Sequence, residues 1–295
     1  MNIQWYPGHM TKARRAMKED MKLIDLVIEL VDARVPFSSR NPDIDELAAG
    51  KARMVLLNKA DLADEAKNAA WAALFESRGI HVAKIDARNK GSLKQVQAVI
   101  QEACKEKIER DRRRGILNRP IRTMVVGIPN VGKSTFINSF AGKACAKTGN
   151  KPGVTKGNQW IRLNKTLELL DTPGILWPRF EDQTVGLHLA LIEELAWELI
   201  GLLEQIYPGV LTERYGDAAE GETEDNSAWK ELSKEEQNLK ASRMLERIAK
   251  NRACLMKGGE LDLARASALL LDEFRSGKLG KLSLEQAQDY TDRVK

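Results

Sequence analysis

The chain has 295 residues, with 47 Lys and Arg against 42 Asp and Glu, a formal charge of +5, and 43% apolar residues. That apolar share supports a real core and excludes global disorder, and the length fits one large domain or two ordinary ones. The three cysteines (Cys104, Cys145, Cys254) have no C-x-x-C spacing, which argues against a zinc knuckle or disulfide framework, and no apolar run approaches the ~20 residues of a membrane span, so a cytoplasmic location is expected.

Residues 1–122 hold 24 Lys and Arg against 17 Asp and Glu, a net +7, while the remaining 173 residues hold 23 against 25, a net −2. The basic part is N-terminal, which favours an anionic partner there. Residues 1–20 are basic but lack the apolar core of a secretory signal. Lys12, Arg15, Lys18 and Lys22 fall at helical spacing and predict a basic helix over Lys12–Lys22. The nearly continuous apolar run Leu23–Asp32 reads as a strand buried on both faces, as in parallel sheets covered by helices. Ala52–Leu57 and His81–Ile85 are further strands, with helical patterns around Asp64–Ser77 and Leu93–Ile108. Lys105–Arg122, with Arg112-Arg113-Arg114 in a row and Pro120 near its end, reads as a helix end and a linker. The strand Ile121–Val126 leads through a Gly-rich turn into a helix, and Trp160–Leu163 and Thr166–Leu170 are two more strands. After Pro178 strands disappear. Val185–Ile206, Ser233–Ala253 and Asp262–Arg275 have helical spacing, and Gly216–Ser227 is an acidic loop.

Gly127-Ile128-Pro129-Asn130-Val131-Gly132-Lys133-Ser134 matches G-x-x-x-x-G-K-[ST] between a strand and a helix. Such a loop curls so that backbone N–H groups and the helix dipole face phosphate oxygens. Asn130, Val131, Gly132, Lys133, Ser134 and Thr135 are the expected nucleotide contacts. Lys133 would neutralise the β and γ phosphates and the Ser134 hydroxyl would ligate Mg²⁺. Asp171-Thr172-Pro173-Gly174 lies 44 positions past Gly127, at another strand end. Asp171 would approach Mg²⁺ and the Gly174 N–H the γ-phosphate. Between them, Thr155 is expected to complete the Mg²⁺ shell, with Thr148 a nearby competitor.

Asn58-Lys59-Ala60-Asp61 follows the strand Ala52–Leu57. The paired acceptors of Asp61 match the N1–H and N2–H₂ donors of guanine and meet adenine badly. Asn58 would brace the loops, Lys59 lie over the ring, and Asp86-Ala87-Arg88 supply a backbone N–H to guanine O6. GTP or GDP is therefore the expected nucleotide. Ordinary GTPases carry the phosphate loop first and N-K-x-D later. Here the order is reversed, with Lys105–Arg122 as the joint.

The arrangement resembles the circularly permuted GTPases, and within them the ribosome biogenesis GTPase A family (the RbgA/YlqF type). Besides the nucleotide motifs, the resemblance rests on Trp5-Tyr6-Pro7-Gly8-His9-Met10, on Asp32-Ala33-Arg34-Val35-Pro36-Phe37-Ser38-Ser39-Arg40-Asn41-Pro42 and on Leu176-Trp177-Pro178. It covers essentially the whole chain, although around Leu191–Glu194 this sequence is shorter than the family pattern. It implies an α/β fold class: a circularly permuted P-loop GTPase domain over residues 1–180, with a mostly parallel sheet, helices on both faces and a basic N-terminal helix. A smaller all-α domain over residues 181–295, expected to bind RNA or the ribosome, follows. It further implies a factor for late maturation of the large (50S) ribosomal subunit that binds precursor particles, rRNA and ribosomal proteins with GTP and leaves after hydrolysis.

The residue after D-T-P-G is Ile175, where small GTPases carry a water-orienting Gln. Hydrolysis is therefore expected to be slow until a partner binds. Two candidates remain for the missing group. The resemblance implies that His9 assists, and Asn130 stands where K⁺-activated GTPases offer an oxygen to the ion. Lys133 and Thr155 are the other expected catalytic residues. Arg243, Arg247, Lys250, Arg252, Lys257, Arg265, Arg275, Lys278 and Lys281 suggest RNA phosphate contact by the helical half. The arginine-rich joint is expected beside Gly8-His9. An alternative is an RNA-binding scaffold or nucleotide switch with little turnover. The oligomeric state is not legible.

Overall fold

The computed structural model of the protein describes residues 17–116, 119–128, 130–142, 159–163, 165–172, 196–216, 229–256 and 259–294. Six strands, β1 (Leu26–Asp32), β2 (Ala52–Asn58), β3 (His81–Ile85), β4 (Ile121–Val126), β5 (Gln159–Arg162) and β6 (Leu167–Asp171), form one sheet in the order β3-β2-β1-β4-β6-β5. All pair in parallel except β5, which lies antiparallel to β6 at the edge. Every residue of β1 is buried, so both faces of the sheet centre are covered. The strands before the phosphate loop lie on one side of β4 and those after it on the other, which is the permuted arrangement. β1 starts at Leu26 rather than Leu23. Residues 17–21 are helical, Leu23 is half-exposed, and the chain is drawn into the sheet at Asp25, whose carboxylate accepts from the Arg122 N–H at 2.9 Å.

Helices α1 (Asp43–Leu47), α2 (Glu65–Ser77), α3 (Lys90–Ala103), α4 (Lys105–Arg113) and α5 (Lys133–Ala141) accompany the sheet. Asp64 caps α2 by accepting from the Lys67 N–H, and the helix buries Trp71 and Phe75 against Val31, Val55 and Leu57. Asn89 caps α3, which buries Leu93, Val96 and Ile100. The expected single helix Leu93–Ile108 is broken at Cys104 (φ −105°, ψ 11°), so α4 sets off on its own course, and the helix end expected within Lys105–Arg122 falls at Arg113 with Arg114 as its C-cap. Lys107 of α4 meets Asp25 at 3.5 Å and Asp111 at 3.1 Å. This fixes α4 at the N-terminal end of β1, the pole opposite the phosphate loop. The expectation that this joint lies beside Gly8-His9 concerns residues outside the described ones. Six residues of β4 separate the two poles, about 20 Å at ~3.3 Å per residue.

The chain divides into two compact units, residues 1–185 with 285–295, and residues 186–284. The last eleven residues group with the sheet unit rather than with the helices. There Ala287, Tyr290 and Val294 join the core of Val31, Leu57, Trp71 and Phe75. The second unit contains α6 (Ala196–Ile206), α7 (Val210–Tyr215), α8 (Lys234–Asn251) and α9 (Leu263–Arg275). α8 opens with a capping box between Ser233 and Glu236. Leu199, Ile200, Leu203, Leu211, Leu245, Ile248 and Leu270 are buried within it. The Glu273 carboxylate, also buried, accepts from Arg214 at 2.9 Å and the Tyr215 hydroxyl at 3.0 Å, and Arg252 lies 3.5 Å away.

Candidate functional site

The C-terminal ends of the parallel strands meet along one edge of the sheet, the edge at which open α/β sheets bind ligands. Register sets Asp32 beside Asn58, Asn58 beside Ile85, and Val125 beside Asp171. β4 runs out through Gly127 and Ile128 to Asn130, Val131 and Gly132, and α5 begins at Lys133. Gly132 has φ +94° and its α-carbon faces the Asn58 side-chain amide so closely that a β-carbon would collide with it. At Gly127 a β-carbon would lie 2.9 Å from the Leu30 carbonyl. Both positions require glycine for these approaches.

Lys133 is buried, and its ammonium donates to Asp171 Oδ1 at 3.0 Å and to the Thr172 carbonyl. Burial pulls the Lys133 pKa down, and the Asp171 charge offsets this only in part. The two charges neutralise each other at the place where phosphates and a divalent cation would neutralise them separately. Ser134 and Thr135, both half-buried, follow in the first turn of α5. The Ser134 hydroxyl and Asp171 carboxylate are hard oxygen donors suited to Mg²⁺. Among the described residues no group of three or more His, Cys, Asp and Glu could hold a metal alone. His9, Thr155 and Gly174 lie outside the described residues, as do Thr148, Ile175 and the Trp5–Met10 and Leu176–Pro178 motifs.

Asn58 ties three loops together. Its Nδ2 donates to the Val131 carbonyl at 2.7 Å, and its Oδ1 accepts from the Ala87 N–H at 2.9 Å. Lys59 sits in the left-handed region (φ 61°) and its ammonium bridges Asp32 Oδ2 at 2.8 Å and the Asn130 carbonyl at 3.2 Å. Asn130 itself has φ 66° and is exposed. Asp61 Oδ2 accepts from Arg88 at 2.7 Å, while Asp61 Oδ1 is buried without a hydrogen-bond partner. A buried orphan acceptor is costly until a donor arrives, and guanine's N1–H and amino group are such donors. Asp86 is held by the Arg88 N–H at 2.9 Å and Nε at 3.0 Å. Burial acts to raise its carboxyl, but the Arg88 hydrogen bonds outweigh this and lower it. The Ala87 and Arg88 N–H groups already have partners here, so an O6 contact would have to share or replace one of them.

Two residues of this network, Asp32 and Arg34, carry no expected nucleotide role, and the Arg88 side chain does more than the backbone N–H expected of Asp86-Ala87-Arg88. Asp32 accepts from Arg34 Nη2 at 2.7 Å and from Lys59, all within the sheet edge. Burial acts to raise the Asp32 carboxyl, and the charges of Arg34 and Lys59 overcome it and hold the group far below the usual range. The Asp32-Ala33-Arg34 motif drew notice only as a family signature, and pairing of Asp32 with Lys59 becomes visible only once β1 lies beside β2. In the helical unit, Arg243, Lys250, Arg265, Lys278 and Lys281 are exposed, whereas Arg252 is turned toward Glu273 and Arg275 toward Asp272, and Lys257 lies outside the described residues.

A phosphate loop after the fourth strand and N-K-A-D after the second, on one sheet edge, define a circularly permuted guanine-nucleotide-binding P-loop protein. A family profile described as "50S ribosome-binding GTPase" matches residues 122–244. The chain is 45% identical to the Ribosome biogenesis GTPase A of Bacillus cereus, over all of this chain and 97% of that protein. It is 32% identical to the protein of the same name from Thermotoga maritima, over 98% of this chain and 96% of the relative. The crystal structure of GNP-bound YlqF from T. maritima superposes with a TM-score of 0.59 at 28% identity, covering 94% of this chain and 99% of that one. The chain belongs to the ribosome biogenesis GTPase A family, and it is a GTPase that binds GTP and GDP.

Proposed function

We propose that this GTPase acts at a late step of large (50S) ribosomal subunit maturation, binding precursor particles in the GTP state and leaving after hydrolysis. The observation that carries the nucleotide half of this reading is the orphaned Asp61 Oδ1 beside the Asn58-braced phosphate loop, an acceptor that the donors of guanine would satisfy. The ribosomal half draws on relatives whose names place them in ribosome biogenesis. Lys133 would hold the β and γ phosphates, and Ser134, Thr155 and Asp171 would hold Mg²⁺, which neutralises phosphate charge when bound. Asn58, Lys59 and Asp61 read the base, with the Asp86–Ala87 loop behind them. Asn130, Val131, Gly132, Thr135 and Gly174 line the phosphates. His9, or a K⁺ ion at Asn130, supplies what Ile175 cannot. The exposed cations of the helical unit face rRNA, and the cytoplasm is the setting. The test is binding to purified large-subunit precursors with a non-hydrolysable GTP analogue and with GDP, together with GTP turnover with and without particles. At least tenfold tighter binding in the GTP form, and turnover raised by particles, are expected. Equal binding in the two forms would overturn the reading.

A further inference from the structure

The N-terminal pole of the sheet gathers a second set of cations that the nucleotide site does not use. The C-terminal turn of α4 contributes Arg110, Arg112, Arg113 and Arg114, all exposed. Arg119 and Arg122 enter β4 there, since Ile121 N–H donates to the Thr166 carbonyl at the start of β6. Because β5 runs antiparallel to β6, its last residue, the exposed Arg162, opposes Glu168 at the same pole.

Among the described residues this surface is anchored from below. Lys107 neutralises the two shielded acids, Asp25 and Asp111. Of the others, Glu109 faces Arg113 at 3.9 Å and Glu168 faces Arg122 at 3.5 Å, while Glu106 is exposed. Arg112, Arg114 and Arg162 have no salt-bridge partner among the described residues. On the same edge strand Trp160, 41% exposed and opposite Leu170, two residues from Arg162 toward the nucleotide edge, carries the Arg122 guanidinium 5.5 Å over its ring.

We propose that this pole is a second RNA-contact surface, meeting the phosphates of structured RNA through Arg112, Arg114, Arg119 and Arg162 and a base or ribose through Trp160. The inference rests on the reading of the chain as a ribosome-assembly factor and adds a contact to it. RNA fits better than an acidic protein because the open cations are arginines, whose planar forks match phosphate oxygens, and because an exposed tryptophan braced by arginine offers a stacking platform. The pole lies about 20 Å from the phosphate loop along β4, at ~3.3 Å per strand residue. It therefore holds RNA in every nucleotide state, while the GTP-dependent step acts elsewhere.

The test compares the full-length protein with a triple variant, Arg112→Ala, Arg114→Ala and Arg162→Ala, and with a helical-unit variant, Arg243→Ala and Lys250→Ala. Each is titrated against large-subunit precursor particles and against rRNA extracted from them, over a range of salt, with GDP and with a non-hydrolysable GTP analogue. The triple variant should bind both probes at least tenfold more weakly, by the same factor in both nucleotide states. Its plot of log K against log salt should be shallower by about two to three, at ~0.7–0.9 for each phosphate no longer neutralised. Its GTP turnover without particles should be unchanged. Unchanged affinity of the triple variant, with weakening only in the helical-unit variant, overturns the second surface and leaves the proposed function standing. Weakening on particles but not on extracted rRNA assigns the pole to an acidic protein surface and overturns the RNA assignment. Failure of the unaltered protein to bind particles in any state sinks the proposed function itself.

Discussion

Asp61 offers its two carboxylate oxygens to different partners, Oδ2 to Arg88 and Oδ1 to none. In the proposed base reading, Arg88 would aim this carboxylate. Hypoxanthine lacks the amino group of guanine, so a well-aimed Asp61 should separate GDP from IDP, and a loosely held one should do so less. Arg88 is exposed, and such an ion pair is worth about 1 kcal/mol at most, roughly fivefold. Arg88→Ala should weaken GDP about fivefold and IDP less, with Arg88→Lys in between, by titration calorimetry. An unchanged GDP/IDP ratio would remove Arg88 from base reading. Asp32 has larger consequences, because it is buried between Arg34 and Lys59. Its folded pKa is depressed. Its stabilisation is therefore complete above the unfolded carboxyl value of ~3.9 and is lost as pH falls below it. Asp32→Asn strands two cations and should cost about 3–5 kcal/mol at neutral pH. It should also flatten the fall in stability below pH ~4 seen by urea unfolding, and an unaltered acid profile would count against this assignment. At this scale the sequence speaks clearly where spacing encodes chemistry, as in Gly127–Ser134 and Asn58–Asp61. It is silent on Arg34 and on the side chain of Arg88, whose contacts are set by packing rather than by motif spacing.

Among the elements, the last segment of the chain carries more of the sheet unit than its length suggests. Glu285 accepts from the Phe37 N–H at 2.7 Å, the Ser38 N–H at 3.1 Å and the Ser38 hydroxyl. Tyr290 stacks on Phe37 with ring centroids 4.4 Å apart, and Arg293 lies 4.7 Å over the Phe37 ring. The Phe37–Ser39 stretch leads back to the nucleotide site, since Ser39 Oγ accepts from the Asp32 N–H at 2.9 Å. Glu285→Ala leaves two backbone N–H groups, one of them fully buried, without their acceptor and should cost about 3 kcal/mol. Glu285→Gln keeps one acceptor oxygen and should cost less. Chemical denaturation separates the two, and an Ala variant within 0.5 kcal/mol of the parent (~0.5 being the scatter of neutral substitutions) would make the cap decorative. The strands and long helices of the fold were legible because their apolar periods are long and clean. The return of residues 285–295 was not, because Glu285 finds its partners nearly 250 positions earlier in the chain. The break at Cys104 was also hidden, since Leu93, Val96 and Ile100 continue smoothly into Ile108 on a helical period and the change of course answers to Asp25, far away in sequence.

For the molecule as a whole, a chain that leaves the sheet unit before residue 186 and re-enters it at Glu285 has a helical unit held at both ends. The candidate nucleotide-site residues that are described, from Asn58 to Asp171, belong to the sheet unit. A ligand stabilises only what folds with its site, by about 2.7 kcal/mol at a hundredfold excess over Kd. For a unit of this size that is roughly 5–10 °C of transition temperature. The helical unit has its own apolar core around Leu199, Leu203, Ile248 and Leu270 and its own buried charge cluster at Glu273. It has the means to melt separately. Scanning calorimetry of the full chain should therefore resolve two transitions, of which GDP with Mg²⁺ raises one and leaves the other in place. Glu285→Ala should lower the transition that GDP raises. Were GDP to raise both transitions equally, the two units would share one cooperative stability, and nucleotide binding would be felt throughout the helices even before any ribosomal particle is met.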